Sequence, residues 1–173
     1  MKLLFISLGC DKNLVDSEEM LGMLAADGHQ IVDDEDEAEV IIINTCCFIG
    51  DAKEESVNTI LEMAEKKKAG TCKVLIVTGC MAQRYKKEIS EEIPEVDAIL
   101  GTTSYGEIIK AVKEAGEGRH FEEYKSIDFL PDISGKRMLT TGGHFAYLKI
   151  AEGCDKHCTY CIIPKLRGRF RSV

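Results

Sequence analysis

The sequence predicts an α/β fold, a doubly wound parallel sheet of flavodoxin-like strand order, on the strength of three observations. Short β-branched apolar runs alternate with amphipathic helical stretches as far as about residue 115. Two of those runs, 40–44 (VIIIN) and 73–78 (KVLIVT), lack the polar alternation of a sheet wetted on one face. Both of their faces must be covered, as helices cover a parallel sheet. Finally, no G-x-G-x-x-G follows any run, which argues against a dinucleotide-binding order and against NAD or FAD.

The elements follow in order. Residues 3–8 form a short apolar strand that stops at Gly9-Cys10. Residues 11–27 carry Leu14, Met20, Leu21 and Leu24 at helical spacing, with Asn13 or Asp16 as the cap and Gly28 as the stop. A short strand at 29–32 precedes the acidic run 33–39 (DDEDEAE), read as an exposed turn. After the strand at 40–44, residues 52–68 form a helix with Val57, Ile60, Leu61 and Ala64 inward and a lysine-rich end suited to the helix dipole. The strand at 73–78 stops at Gly79-Cys80, and a polar helix at 82–91, a strand at 98–100 and a helix at 104–115 complete a domain over residues 1–117. Residues 118–143, with Gly118, Pro131 and Gly135, read as a linker. In the last part, 144–173, the alternating stretch 145–151 (FAYLKIA) predicts a new strand leading into a cysteine-rich loop.

Composition narrows the class. The chain has 173 residues, 45% hydrophobic and 30% charged, with a net charge of −8. Its amino terminus has one lysine and about six apolar residues before Cys10, too short for a signal peptide. No run approaches the roughly 18 apolar residues of a membrane span, so a cytoplasmic protein is expected. Eight cysteines in a reducing compartment point to metal or redox chemistry instead of disulfides. From Lys149 onward six Lys/Arg face two acids, which leaves about −12 on the first 148 residues. Such a domain is a poor nucleic-acid binder and suits a basic protein partner better, although a solvated acidic face accounts for most of the charge.

Three predicted strands end alike: LGC at Cys10, NTC at Cys46 and TGC at Cys80. Ligands of open parallel sheets bind in the crevice beyond the carboxyl ends of the strands, so three thiols at three strand ends face one crevice. Three soft ligands imply a three-coordinate metal centre with an open position, and they favour an iron–sulfur cluster over hard cations. The alternative for each cysteine alone is a buried small hydrophobe. Cys47, beside Cys46, is an alternative ligand. Cys72 precedes its strand, on the far side of the sheet, and reads as a structural thiol, while His29, His120 and His144 have no partners at ligand spacing.

A second thiol group lies in GCDKHCTYCIIPKLRG, residues 153–168, where Cys154, Cys158 and Cys161 are spaced C-x3-C-x2-C. Three thiolates are one fewer than the four that close a structural site, so a metal corner stays open. The alternative is a zinc site completed by a distant Cys or His, with His157 inside the loop.

With Tyr160 just before its last cysteine, the loop resembles the cluster signature of radical S-adenosylmethionine (SAM) enzymes. Together with SLGCDKNLVDSE, NTCCFI and VTGCMAQRY, it makes the chain similar to the radical SAM methylthiotransferase family. The resemblance implies two [4Fe-4S] clusters, one on Cys10, Cys46 and Cys80 that carries or donates sulfur, and one on Cys154, Cys158 and Cys161 that binds SAM, with Tyr160 as a SAM contact. It implies that SAM cleaved by one electron, from a donor such as flavodoxin or ferredoxin, activates an inert C–H bond for methylthio transfer. The segment from Lys12 to Ser17 resembles the branch acting on the β-carbon of an aspartate in a small-subunit ribosomal protein; the alternative branch acts on adenosine in tRNA. Cys47 departs from the family pattern, which has a small non-thiol residue there.

Only the first strand and the cluster loop of a (β/α) barrel fit within residues 144–173. The resemblance therefore implies a truncated chain, its last 30 residues poorly held and its turnover absent or very weak, or else a non-catalytic iron–sulfur module. Lys165, Arg167, Arg169 and Arg171 read as a basic, solvated segment, the alternative being a place near cofactor or substrate.

Overall fold

A computed structural model describes residues 1–131, 135 and 137–172. Residues 132–134 and 136 of the expected linker, and Val173, lie outside the described residues. The chain runs β1 (Lys2–Ser7), α1 (Asp11–Ala26), β2 (Gln30–Ile31), β3 (Val40–Thr45), α2 (Gly50–Lys68), β4 (Val74–Gly79), α3 (Cys80–Arg84), α4 (Lys86–Glu92), β5 (Ala98–Leu100), a 3-10 turn (Tyr105–Glu107), α5 (Ile108–Gly116), β6 (Phe121–Glu123), β7 (Ala151–Glu152), α6 (Ile163–Arg167) and β8 (Arg171–Ser172).

Six strands form one parallel sheet in the order β2-β1-β3-β4-β5-β6, the flavodoxin-like order with one strand added at its edge. Every residue of β3 and β4 is buried. Alternate side chains of these strands go to opposite faces, which explains their unbroken apolar runs. Ile41, Ile43, Leu75 and Val77 pack under α2, α3 and α4 with Ile60, Met63, Met81 and Ile89. Val40, Ile42, Val74 and Ile76 pack on the other face against Met20 and Leu24 of α1 and Ile108, Ala111 and Val112 of α5. Each fully buried Leu, Ile or Met of this set contributes about 1.5–3 kcal/mol, so the middle of the sheet dominates stability.

The structure corrects several expectations. Residues 121–123, assigned to the linker, pair with β5 as β6; only Phe121 there is a strong strand former, and an edge strand with one partner needs no longer apolar run. The helix expected at 82–91 is broken at Tyr85 (φ −117°, ψ 34°) into α3 and α4. Cys10, without a side-chain hydrogen bond, occupies the N-cap of α1, and the expected caps Asn13 and Asp16 are buried inside the helix. Leu61 of α2 is 47% exposed while Met63 is buried, because Leu61 stands one residue, about 100° of helix, past the buried Ile60. The strand expected at 145–151 is reduced to Ala151–Glu152, paired antiparallel with β8. Residues 145–150 alternate like a strand but no described strand lies beside them to complete a ladder, and Leu148 is 83% exposed.

Candidate functional site

β1, β3 and β4 end in step. Ser7 pairs with Asn44, Asn44 with Thr78, and Thr45 with Gly79, so the residues that follow each strand emerge at one level of the same rim. Two of the three exits turn on a glycine, Gly9 and Gly79, both at φ 93°, a region that only glycine enters freely. Each glycine is also required by close approach. A Cβ on Gly9 would lie 2.5 Å from Cys46 Cβ, and one on Gly79 would lie 2.5 Å from the Thr45 carbonyl oxygen. Cys46 therefore sits directly against the backbone that leads into Cys10. Cys80 opens α3 on the far side of β3 from Cys10. The rim thus brings together the three cysteines that the sequence placed at strand ends.

A buried polar network fixes these turns. Asn13 Nδ2 donates to the carbonyls of Leu8 and Thr45, each at 2.9 Å, tying the exit of β1 to that of β3. Asn44 Nδ2 donates to the Asn13 carbonyl and to Ser17 Oγ, and Thr45 Oγ1 donates to the Thr78 carbonyl at 2.5 Å. Ser56 of α2 clamps Cys46, accepting from its N–H at 3.0 Å and donating to its carbonyl at 2.8 Å. Cys10 is exposed at the mouth of the rim, whereas Cys46 and Cys80 are buried. Burial pushes the Cys80 thiol up, against the opposing charge of Arg167. Cys47, next along the chain, is buried in the cluster that also contains Cys80 and Met81, and burial, with Cys80 next, pushes it up to about 11. Cys72 is buried at the opposite end of the sheet, its thiol donating to the Val74 carbonyl at 3.0 Å.

The second thiol loop lies beside this rim. It is closed at its base by the β7–β8 pair and by the Cys154 N–H, which donates to the Gly168 carbonyl at 3.0 Å, and a tight turn joins Cys161 N–H to the Cys158 carbonyl at 3.0 Å. Cys154 and Cys161 are half-buried, Cys158 is exposed and Tyr160 is 88% exposed. A cleft of about 450 Å³ is lined on one side by Phe48 and Arg84 and on the other by the stretch from His157 to Ile162 with Pro164 and Lys165. Among the described residues, no group of three or more His, Cys, Asp or Glu side chains is arranged to hold a single metal ion.

The basic segment read as solvated is corrected at its centre. Arg167 is 3% exposed, because Asp16, Asn13 and Glu152 surround its guanidinium at the floor of the crevice. Leu166 is buried against the cluster containing Cys47, Cys80 and Met81, and its carbonyl accepts from Thr102 Oγ1 at 2.8 Å. The expectation of a poorly held carboxyl-terminal segment is therefore wrong for Glu152, Leu166 and Arg167, which are buried against the first domain.

Residues 2–101 match the sequence profile of the uncharacterized protein family UPF0004. The chain belongs to this family. The matched UPF0004 region takes in β1 to β5 with all three rim cysteines, and the loop cysteines lie beyond it. The chain is also similar to proteins named ribosomal protein uS12 methylthiotransferase RimO. It is 62% identical over 173 residues to that of Lachnoclostridium phytofermentans, covering 100% of this chain and 39% of the relative. For those of Clostridioides difficile and Solibacter usitatus the identity is 52%, over 99% of this chain and 39% and 36% of the relatives. The chain thus spans well under half the length of these relatives. Among the described residues no helix is long and apolar enough to cross a membrane.

Sequence reasoning missed the buried polar side of α1. Asn13, Asp16 and Ser17 stand at i, i+3 and i+4, on the stripe that Met20 and Leu24 continue. Polar residues interrupting an apolar stripe are the signal that the helix faces a charged partner there.

Proposed function

We propose that this UPF0004 chain is the cluster-bearing part of a radical SAM methylthiotransferase that modifies ribosomal protein uS12, at an aspartate. The observation that carries this reading is the convergence of Cys10, Cys46 and Cys80 on one rim, beside a docked C-x3-C-x2-C loop. The donor set suits an iron–sulfur group: three soft thiols at one strand-end rim, with no hard carboxylate among them. Cluster ligands each bind a different iron, so they stand further apart than ligands of one ion.

In this reading Cys10, Cys46 and Cys80 hold one [4Fe-4S] cluster and Cys154, Cys158 and Cys161 the other, each leaving one iron open. When bound, the clusters and SAM supply the electron, the sulfur and the methyl group of the transferred methylthio unit. The chain's own residues do the positioning. Gly9 and Gly79 bring the thiols to one level, Asn13 and Ser56 lock the turns, and Tyr160 stands free at the cleft to contact SAM. The acidic first domain suits a basic ribosomal protein better than tRNA, and a flavodoxin or ferredoxin serves as electron donor. Anaerobic reconstitution tests the reading: about eight irons per chain are expected, with about four lost in Cys80→Ala and about four in Cys154→Ala. One zinc and no iron would overturn it.

A further inference from the structure

The Arg167 guanidinium reaches both the first domain and the base of the second thiol loop. It comes from α6, two turns of chain after Cys161, and ends between elements distant in sequence. Its Nη1 donates to Asp16 Oδ2 at 2.6 Å and to Glu152 Oε2 at 3.3 Å, and its Nη2 donates to Asn13 Oδ1 at 2.6 Å. Asn13 is the same side chain that ties the exits of β1 and β3 together. Glu152 lies in β7, at the base of the loop, two residues before Cys154. Lys149 pairs with Asp16 and also with Glu152 at 3.3 Å, and Lys12 Nζ donates to the Ala151 carbonyl at 2.9 Å. Leu166, the neighbour of Arg167 on α6, is buried in the same cluster as Cys80.

We infer that Arg167 is a positioning residue, a latch that holds the loop of Cys154, Cys158 and Cys161 over the rim. A buried charge is stable only while its partners surround it, so the latch has two states, fully seated or expelled to water. An arginine suits this place because its planar fork serves Asp16 and Asn13 at once. A lysine would keep the charge and lose the fork. The latch needs no cluster to form.

The test uses the iron-free, reduced chain and reads alkylation of Cys80 against Cys72, a thiol equally buried but remote from the latch. In Arg167→Gln the Cys154 amide should exchange ~10-fold faster or more, Cys80 should react faster per thiolate when rates are taken from the pH profile, and Cys72 should not change. Arg167→Lys should restore the slow rate only in part. If Arg167→Gln loosens the whole domain, so that Cys72 reacts faster too, Glu152→Gln decides the matter, because it removes the loop's side of the latch and leaves the sheet intact. Unchanged Cys80 reactivity and Cys154 exchange in Glu152→Gln would overturn the proposal.

Discussion

The two thiol groups of this chain are built in opposite ways. Cys10, Cys46 and Cys80 lie far apart in sequence and are gathered by the three central strand ends of a buried sheet, with polar side chains bracing every turn. Cys154, Cys158 and Cys161 lie within eight residues and are gathered by chain proximity alone, on a loop whose tip is exposed. The first site is stabilised by folding of the domain and can be lost only with it. The second depends on docking, through Arg167, Leu166 and Glu152, and can be released while the sheet stays intact.

Glycine substitutions should break this comparison most sharply. Gly79→Ala puts a Cβ into the Thr45 backbone at a left-handed φ, at a cost of about 1–2 kcal/mol for the conformation and about 1–3 kcal/mol for the clash. Urea unfolding should show the whole domain destabilised. Gly153→Ala meets the same two penalties against the Arg169 carbonyl, but there the hairpin should detach, seen as fast exchange at Cys154, with the urea midpoint of the sheet nearly unmoved. Equal effects of the two on global stability would contradict the contrast.

Asn13→Ala comes next. It leaves the carbonyls of Leu8 and Thr45 without their donor and Arg167 without one acceptor, each unsatisfied group costing about 1–3 kcal/mol. Both regions should loosen, since this residue belongs to both.

Acid should separate the regions reversibly. Burial raises the Glu152 carboxyl, but the charges of Arg167, Lys149 and Lys12 outweigh it and hold the group below its ordinary value. Burial likewise opposes, and the Thr140 and Arg137 hydrogen bonds override, at Glu18, which is also held low. A lowered carboxylate contributes stability that is present above its unfolded pKa of 4.5 and lost as pH falls through the lower folded value. Glu19, raised by burial, works in the opposite sense and offsets part of this. The hairpin should therefore stay docked at neutral pH and detach below about pH 4, before the sheet unfolds, in hydrogen exchange followed by pH. The smallest effect belongs to Cys72→Ala, which should cost about 1 kcal/mol in urea unfolding and leave iron uptake unchanged.

Most of the sheet was legible because its strands are buried on both faces, and unbroken runs such as VIIIN leave no other reading. The rim was legible for the same reason: once the strands are placed, their ends and the cysteines that follow are placed too. The edge strand β6 was not, because FEE carries one apolar residue and is defined by its partner. Residues 145–150 erred the other way, since alternation announces a strand but supplies no neighbour. Arg167 was misread because composition makes a basic run look solvated, and only the tertiary fold shows Asp16 and Asn13 waiting beneath it.

The central claim is that Cys10, Cys46 and Cys80 form one site. Cys10 is the exposed member, so its alkylation in the native chain reports on the other two. In a variant with Cys154, Cys158 and Cys161 replaced by alanine, iron and sulfide should shield Cys10, and that shielding should vanish in Cys46→Ala and in Cys80→Ala and persist in Cys47→Ala. Shielding that survives loss of Cys46 or Cys80, or that fails on loss of Cys47, would contradict it.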